Sequence, residues 1–365
     1  MPQPRDSITC LERIADIGAN REESILLDKN ERVAPFPADF FQEFLNSLNS
    51  TTLTQYPDQS ELYRRLADLY NLDTDQLLLV PGSDAGLKYI FETFSKESDE
   101  IVHLHPTYEM VRVYIAMFGC LPKAVGFSSD LNISIDTLVN ALSYETKLAI
   151  IANPNQPTGT LLTLVEIEML AKRADETDTL LVIDEAYIEF ALETSAIGLT
   201  RRFQNLCVLR TFSKAYGLAG LRIGFLATSP KIKNHLSKIK SLHDINSVAI
   251  AASLFLLNRH NIVDSYVSEV HDSKKKLASS CLKINVDFIP SHTNFSFVRL
   301  PKSVDTQSVV RSLAHHGFRV RLFSGTGTDL DGTLRFTIGP WQIMKSFLSA
   351  LDRSIEESRC RPVGI

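Results

Sequence analysis

Short apolar runs, each ending in a polar or glycine-rich turn and followed by a helix-period stretch, recur from about residue 30 to residue 245. Leu77-Leu78-Leu79-Val80, Ile101-Val102-His103-Leu104, Leu148-Ala149-Ile150-Ile151-Ala152, Leu180-Leu181-Val182-Ile183, Leu206-Cys207-Val208-Leu209 and Ile223-Gly224-Phe225-Leu226-Ala227 are such runs. Continuous apolar strands without alternation belong inside a sheet that is covered on both faces. Strands that alternate with helices are joined by crossovers, and crossovers make neighbouring strands parallel. The pattern therefore predicts an α/β protein with a mainly parallel sheet and helices on both sides. Helical patterns near Val248–Leu257 and Val263–Leu282 then lead to a smaller α+β region, with strands expected at Phe295–Arg299, Phe318–Leu322 and Thr333–Ile338. The chain divides into an arm at 1–27 with a short helix from Ile8 to Ile17, a large domain at 28–245 and a small domain at 246–365.

Ligands of such sheets bind beyond the carboxyl ends of the strands, so the residues that close each run are the candidates for chemistry. Lys214 stands in Thr211-Phe212-Ser213-Lys214-Ala215-Tyr216-Gly217-Leu218-Ala219-Gly220-Leu221-Arg222. A lysine alone is usually solvated. One held away from water deprotonates more easily and can form an imine with an aldehyde. The hydroxyls of Thr211 and Ser213 and the guanidinium of Arg222 supply what a phosphate needs. An imine-forming lysine beside a phosphate cradle meets the requirement of pyridoxal 5'-phosphate. Asp184 closes its strand 30 residues upstream, room for a helix and a return strand. An isolated aspartate is often only a helix cap. At a strand end it can instead hold a pyridine nitrogen protonated, which makes the ring an electron sink. Asn153 opens the turn Asn153-Pro154-Asn155-Gln156-Pro157-Thr158-Gly159 and is a candidate donor to the same ring. Gly82, Ser83 and Asp84 begin a helix after a strand, where backbone N–H groups can hold the phosphate.

Taken in order, Asn-Pro-Asn-x-Pro-Thr-Gly, Asp-Glu-Ala-Tyr and Ser-Lys-x-x-Gly-x-x-Gly-x-Arg resemble the class I/II aminotransferases of pyridoxal-phosphate fold type I, and most closely the histidinol-phosphate aminotransferase group. The resemblance runs from about Leu26 to the C-terminus and includes Tyr56-Pro57, Pro106-Thr107-Tyr108, Pro290-Ser291-His292-Thr293-Asn294-Phe295 and Leu334-Arg335-Phe336. It implies a seven-stranded-type, mainly parallel sheet in the large domain. It also implies Tyr108 stacked on the ring, Asn153 and Tyr187 on the ring hydroxyl, and Tyr56 reaching the cofactor phosphate of a second subunit in a homodimer with shared active sites. Arg335 would hold the substrate carboxylate, with Arg321 at a more distal anionic group. Asn153 would also border the substrate. The reaction implied is transfer of an amino group between an amino acid and a keto acid or phosphorylated carbonyl compound. A decarboxylase of the threonine-phosphate type is the alternative on the same fold. The chain departs from the group at Glu31-Arg32-Val33 near the arm, at Glu109 after Pro-Thr-Tyr, and between Arg321 and Arg335. These segments shape the substrate pocket, so they bear on the substrate and not on the cofactor.

Composition narrows the function without naming it. The 365 residues are enough for two domains and a large core, 44% are apolar and 22% charged, and the net charge is −5 with pI near 6.0. That balance excludes a general nucleic-acid binder, and no apolar stretch reaches membrane-spanning length. The N-terminus shows no apolar signal core. The five cysteines, Cys10, Cys120, Cys207, Cys281 and Cys360, form no Cys-x-x-Cys pair, as expected of reduced thiols in a cytoplasmic protein. His103 and His105 alternate along a strand but lack an evident third ligand, so no metal site is expected.

Overall fold

The computed structural model describes residues 2–9, 11, 24–323 and 328–359. Much of the expected helix from Ile8 to Ile17 lies outside them, and one turn of helix is seen at Asp6–Thr9. The chain forms two compact units: Ala38–Arg259 with the described residues up to 11 make the larger, and the described part of 15–37 with 260–359 the smaller.

A seven-stranded sheet is the frame of the larger unit. Its strands lie in the order Leu77–Val80, Gly224–Thr228, Leu206–Thr211, Leu180–Asp184, Thr146–Ala152, Glu100–His105, Leu121–Gly126. The last five run parallel, and Gly224–Thr228 is antiparallel to both of its neighbours. The expectation of a mainly parallel sheet therefore holds. The apolar runs are buried throughout, as the strand Leu77–Val80 and the first four residues of Leu180–Asp184 show. Leu121–Gly126 is mostly exposed at the sheet edge, and its Leu-Pro-Lys sequence hides it from an apolar-run search. Helices Ser83–Phe94, Glu109–Met117, Leu164–Glu176 and Pro230–Ile239 cover the sheet, each with an apolar face inward. The helix Leu164–Glu176 opens with a reciprocal cap between Thr163 and Glu166.

One crossover differs from expectation. Between Asp184 and the return strand at Leu206 there is no α-helix, only the 3₁₀ segments Ile188–Phe190 and Ala196–Arg201. Ile188, Phe190, Ala196, Ile197, Leu199 and Thr200 are buried in two short 3₁₀ pieces, neither long enough to show a 3.6-residue period.

The smaller unit holds an antiparallel sheet in the order Arg321–Leu322, Thr333–Thr337, Phe295–Arg299, Asp287–Ile289. Helices His260–Lys283, Thr306–His315 and Trp341–Arg359 pack with it around Phe295, Phe297, Phe336 and Phe347. The strand expected over Phe318–Leu322 divides at Val320: Phe318–Arg319 pairs with Ile25–Leu26, while Arg321–Leu322 joins Thr333–Thr337. No helix among the described residues is long and apolar enough to cross a membrane, and no group of three or more metal-ligating side chains is found among them.

Candidate active site

Five strands of the large sheet deliver their C-terminal loops to one cavity, which encloses about 590 Å³ of non-atom space including its solvent-filled mouth. Ser83, Asp84, Tyr108, Asp184, Tyr187, Thr211, Ser213, Lys214 and Arg222 line it, together with Ala152, Pro154, Gln156 and Ala186. Residues separated by more than a hundred positions thus meet at one end of the parallel strands, where this topology opens a crevice.

One end of the cavity is built for an anion. The helix Ser83–Phe94 begins beside it, with Gly82 as N-cap at φ 82°. A Cβ on Gly82 would come within 2.7 Å of Arg222 Nη2, so glycine lets the guanidinium lie against the bare backbone of the helix start. Arg222 Nη1 donates to Ser213 Oγ at 3.4 Å, and Thr211 Oγ1 donates to Ser213 Oγ at 3.0 Å. The start of a helix, with its dipole, and a guanidinium converge there. Gly82 itself and Tyr56 do not line the cavity. Tyr56 is 78% exposed and stacks on His243 at 4.0 Å.

Asp184 occupies the other end. It accepts from the Ala186 N–H at 3.1 Å, and its own carbonyl accepts from the Asn153 N–H at 2.8 Å. Burial, followed by the nearby Asp84 and Glu185, pushes its carboxyl up to about 6, while the Ala186 N–H and Lys214 pull the other way. Lys214 Nζ lies 5.4 Å from the centroid of the Tyr187 ring. The Tyr187 hydroxyl donates to Gln156 Oε1, a residue that sequence reasoning passed over although it sits inside the proline-rich turn. Burial and the carboxylates of Asp84 and Asp184 hold the Tyr108 hydroxyl far above its ordinary range, so it is neutral.

Asn153 stands behind the wall. Its side chain donates to the Leu162 carbonyl at 3.0 Å and accepts from the Leu162 N–H at 2.7 Å, closing the turn that carries Pro154 and Gln156. Asn155 then bonds the Pro106 carbonyl at 3.1 Å and accepts from Thr107 at 3.2 Å, which ties this turn to the loop bearing Tyr108. In the smaller unit, Arg335 is 3% exposed and donates from Nη2 to the Asp28 carbonyl at 2.6 Å. Arg321 is exposed and is its direct partner across the antiparallel pair, and both guanidinium carbons lie within 6 Å of the Phe323 ring centroid, at 5.9 and 5.7 Å.

The residues fit a phosphorylated pyridine aldehyde. The Gly82–Arg222 cradle matches a phosphate, the buried carboxylate matches a protonated ring nitrogen, and Lys214 lines the same cavity near Tyr187.

Comparison with known proteins agrees. The family model "Aminotransferase class I and II" matches residues 24–351. The chain is 31% identical over 316 residues to a histidinol-phosphate aminotransferase of Thermoanaerobacter, covering 86% of this chain and 88% of that one. It is 32% identical over 323 residues to histidinol-phosphate aminotransferase 1 of Mannheimia succiniciproducens, covering 86% and 85%. The crystal structure of histidinol-phosphate aminotransferase from Sinorhizobium meliloti in complex with pyridoxal 5'-phosphate superposes with a TM-score of 0.88 at 22% identity, covering 98% of both chains.

Proposed function

The chain belongs to the class I and II aminotransferase family, and from that premise we propose that it moves an amino group between an amino acid and a phosphorylated carbonyl compound of the histidinol-phosphate type. It is a pyridoxal-phosphate-dependent aminotransferase of fold type I. The observation that carries the site assignment is the meeting of Lys214, Asp184 and the Ser83–Arg222 cradle in one cavity.

When bound, the cofactor supplies an aldehyde for amine exchange and a ring that accepts an electron pair. The chain's own residues do the rest. The N–H groups at the start of Ser83–Phe94, with Thr211, Ser213 and Arg222, hold the phosphate. Asp184 keeps the ring nitrogen protonated, since a cation beside its carboxylate stabilises both charges. Tyr108 covers one ring face. Tyr187 hydrogen-bonds the ring hydroxyl, and Asn153 holds the Ala152–Gln156 wall against it through Leu162. Lys214 anchors the cofactor and then, once displaced by a substrate amine, carries the proton at the substrate's α-carbon.

The substrate class is supported by Arg335 and Arg321 and by the names of the relatives. Two arginines directly opposite across a strand pair repel each other. An anion between or beside them removes that cost. Arg335 is proposed for the carboxylate, or the group in its place, and Arg321 for a second anionic group. Exposed Tyr56 supports a homodimer in which it meets the partner's cofactor. A cytoplasmic setting completes the reading, supported by the buried free thiols of Cys120, Cys207 and Cys281.

Borohydride reduction of the pyridoxal-phosphate-loaded protein, followed by peptide mapping, tests the site. The label is expected on Lys214, and a label elsewhere overturns the assignment. Histidinol phosphate should convert the bound cofactor to its pyridoxamine form. A panel in which only amino acids with uncharged tails do so rejects the substrate class.

A further inference from the structure

Behind the cavity wall lies a buried cluster of charge that the reaction itself does not use. Arg210 precedes Thr211 on the strand Leu206–Thr211, and Glu185 follows Asp184 at the end of the neighbouring strand. Side chains alternate across a strand. Thr211 and Asp184 line the cavity, while Arg210 and Glu185 do not. Arg210 is 5% exposed and Glu185 is 0% exposed. Arg210 Nη1 reaches Glu185 Oε2 at 3.4 Å and donates to Ser195 Oγ at 3.2 Å, and Nη2 donates to Glu189 Oε1 at 2.5 Å. Its guanidinium carbon lies 5.3 Å from the Tyr70 ring centroid. Glu185 also accepts from Ser195 Oγ at 2.5 Å and from the Ala196 N–H at 2.6 Å.

The two carboxylates held by Arg210 bracket Tyr187, two residues before it and two after it. This is also the crossover that lacks an α-helix, so around Tyr187 its backbone is held only by single 3₁₀ turns. A buried ion cluster is a poor source of net stability, because desolvation offsets the attraction. What a forked guanidinium supplies is direction, by fixing two acceptors at once.

We propose that Arg210 is a positioning residue: by gripping Glu185 and Glu189 from behind the wall, it sets where the Asp184 carboxylate and the Tyr187 hydroxyl stand relative to Lys214. The inference rests on the reading that Asp184 and Tyr187 meet the ring of a cofactor anchored on Lys214. It goes beyond that reading by assigning their alignment to a residue that touches neither cofactor nor substrate.

The test uses the holoenzyme of the parent, Arg210→Met, Arg210→Lys and Glu189→Gln, with Leu236→Ala as a core-cavity control in the helix Pro230–Ile239, which does not line the cavity. Three quantities are read: the Kd for pyridoxal phosphate, the pH midpoint of the bound cofactor's absorption change, and Tm. Arg210→Met should weaken cofactor binding about tenfold and displace the midpoint, and kcat should fall by roughly ten- to a hundredfold, the scale of a misplacement of about 1 Å. Arg210→Lys, which can satisfy one carboxylate but not both, should recover only part of each. Glu189→Gln should shift the midpoint in the same direction by less. Leu236→Ala should lower Tm and leave midpoint and Kd as in the parent. If the Arg210 variants lower Tm but keep the parent's midpoint and Kd, Arg210 only stabilises the fold and the proposal fails. If Arg210→Met does not fold, Arg210→Lys and Glu189→Gln decide by the same readouts. A parent that takes up no cofactor, or takes it up away from Lys214, defeats the underlying reading instead.

Discussion

Asp184 carries an electrostatic signature that pH can read. Its carboxyl, ordinarily near 3.8, is pushed up to about 6 because burial and the neighbouring Asp84 disfavour its charge. The folded chain therefore binds the proton more tightly than the unfolded one. Between pH 3.8 and about 6 the folded state carries the extra proton, so stability falls as pH rises through that window and is flat above it. The whole displacement is worth at most about 3 kcal/mol. Cofactor-free Asp184→Asn lacks this titration. Its Tm should rise relative to the parent's as pH is taken from about 4 to 7, and parallel Tm curves would show that Asp184 is not desolvated. In the loaded enzyme the same change would remove the charge proposed to hold the ring nitrogen protonated. Turnover should drop on the order of a thousandfold, several kcal/mol of barrier, and near-normal turnover would make Asp184 structural. Arg321 is proposed for an anionic group further out. A charge-assisted hydrogen bond of roughly 1.5–3 kcal/mol corresponds to a loss of about ten- to a hundredfold. Arg321→Ala should raise KM by that factor for phosphorylated donors and hardly at all for neutral-tail ones, whereas Arg335→Ala should weaken every α-amino acid donor. Equal losses for both donor types in Arg321→Ala would remove Arg321 from the pocket.

At the scale of elements, the site depends on close approach between the strand Gly224–Thr228 and the start of the helix Ser83–Phe94. A Cβ on Gly224 would lie 2.5 Å from the Arg210 carbonyl oxygen and 3.0 Å from the Ser83 nitrogen, both backbone atoms that cannot swing aside. Gly220, in the same glycine-rich run, would meet nothing within 4 Å. Gly224→Ala should therefore cost more than about 2 kcal/mol in denaturant unfolding and loosen pyridoxal phosphate. Gly220→Ala should stay within about 0.5 kcal/mol, and similar costs for the two would refute the close-packing account. The sequence made both glycines visible but could not rank them, because the difference lies in a tertiary contact. The same limit explains what else was hidden. Runs such as Leu206–Leu209 and Leu148–Ala152 announce strands, since continuous burial leaves no polar residue to blur them. Leu121–Gly126 has its run broken by Pro122 and Lys123 and is mostly exposed at the sheet edge, so it escaped notice. The crossover after Asp184 was expected to be helical because a return strand needs length. Its Glu185 and Glu189 are instead spent on Arg210, and most of its apolar residues are buried in short 3₁₀ turns. Residues at strand ends were legible as candidates, and nine of them line one cavity. Gln156 was not, since its value lies in the Tyr187 hydroxyl it accepts, which only the fold brings near.

For the whole molecule, the question is what covers Tyr56. An aromatic ring left 78% exposed, beside a histidine stacked at 4.0 Å, is a poor end state for a chain that at least partly buries nearly all of its described aromatic rings. Leu53, in the same segment, and Leu242, next to that histidine, are each 79% exposed. Contiguous exposed apolar surface of this kind marks an interaction site, and a two-fold contact with a second copy is the commonest way to close one. Light scattering on the holoenzyme should report twice the chain mass of 40.8 kDa. If Tyr56 also reaches the partner's cofactor phosphate, assembly and cofactor retention are linked, because each favours the state in which the other is satisfied. Dilution should then release pyridoxal phosphate and lower Tm together. Tyr56→Phe keeps the ring and its stacking but loses the hydroxyl. It should still dimerise, while binding the cofactor roughly ten- to a hundredfold more weakly, the worth of one charge-assisted hydrogen bond. A fully active monomer, or a Tyr56→Phe dimer with the parent's cofactor affinity at every dilution, would break the link and confine each active site to a single chain.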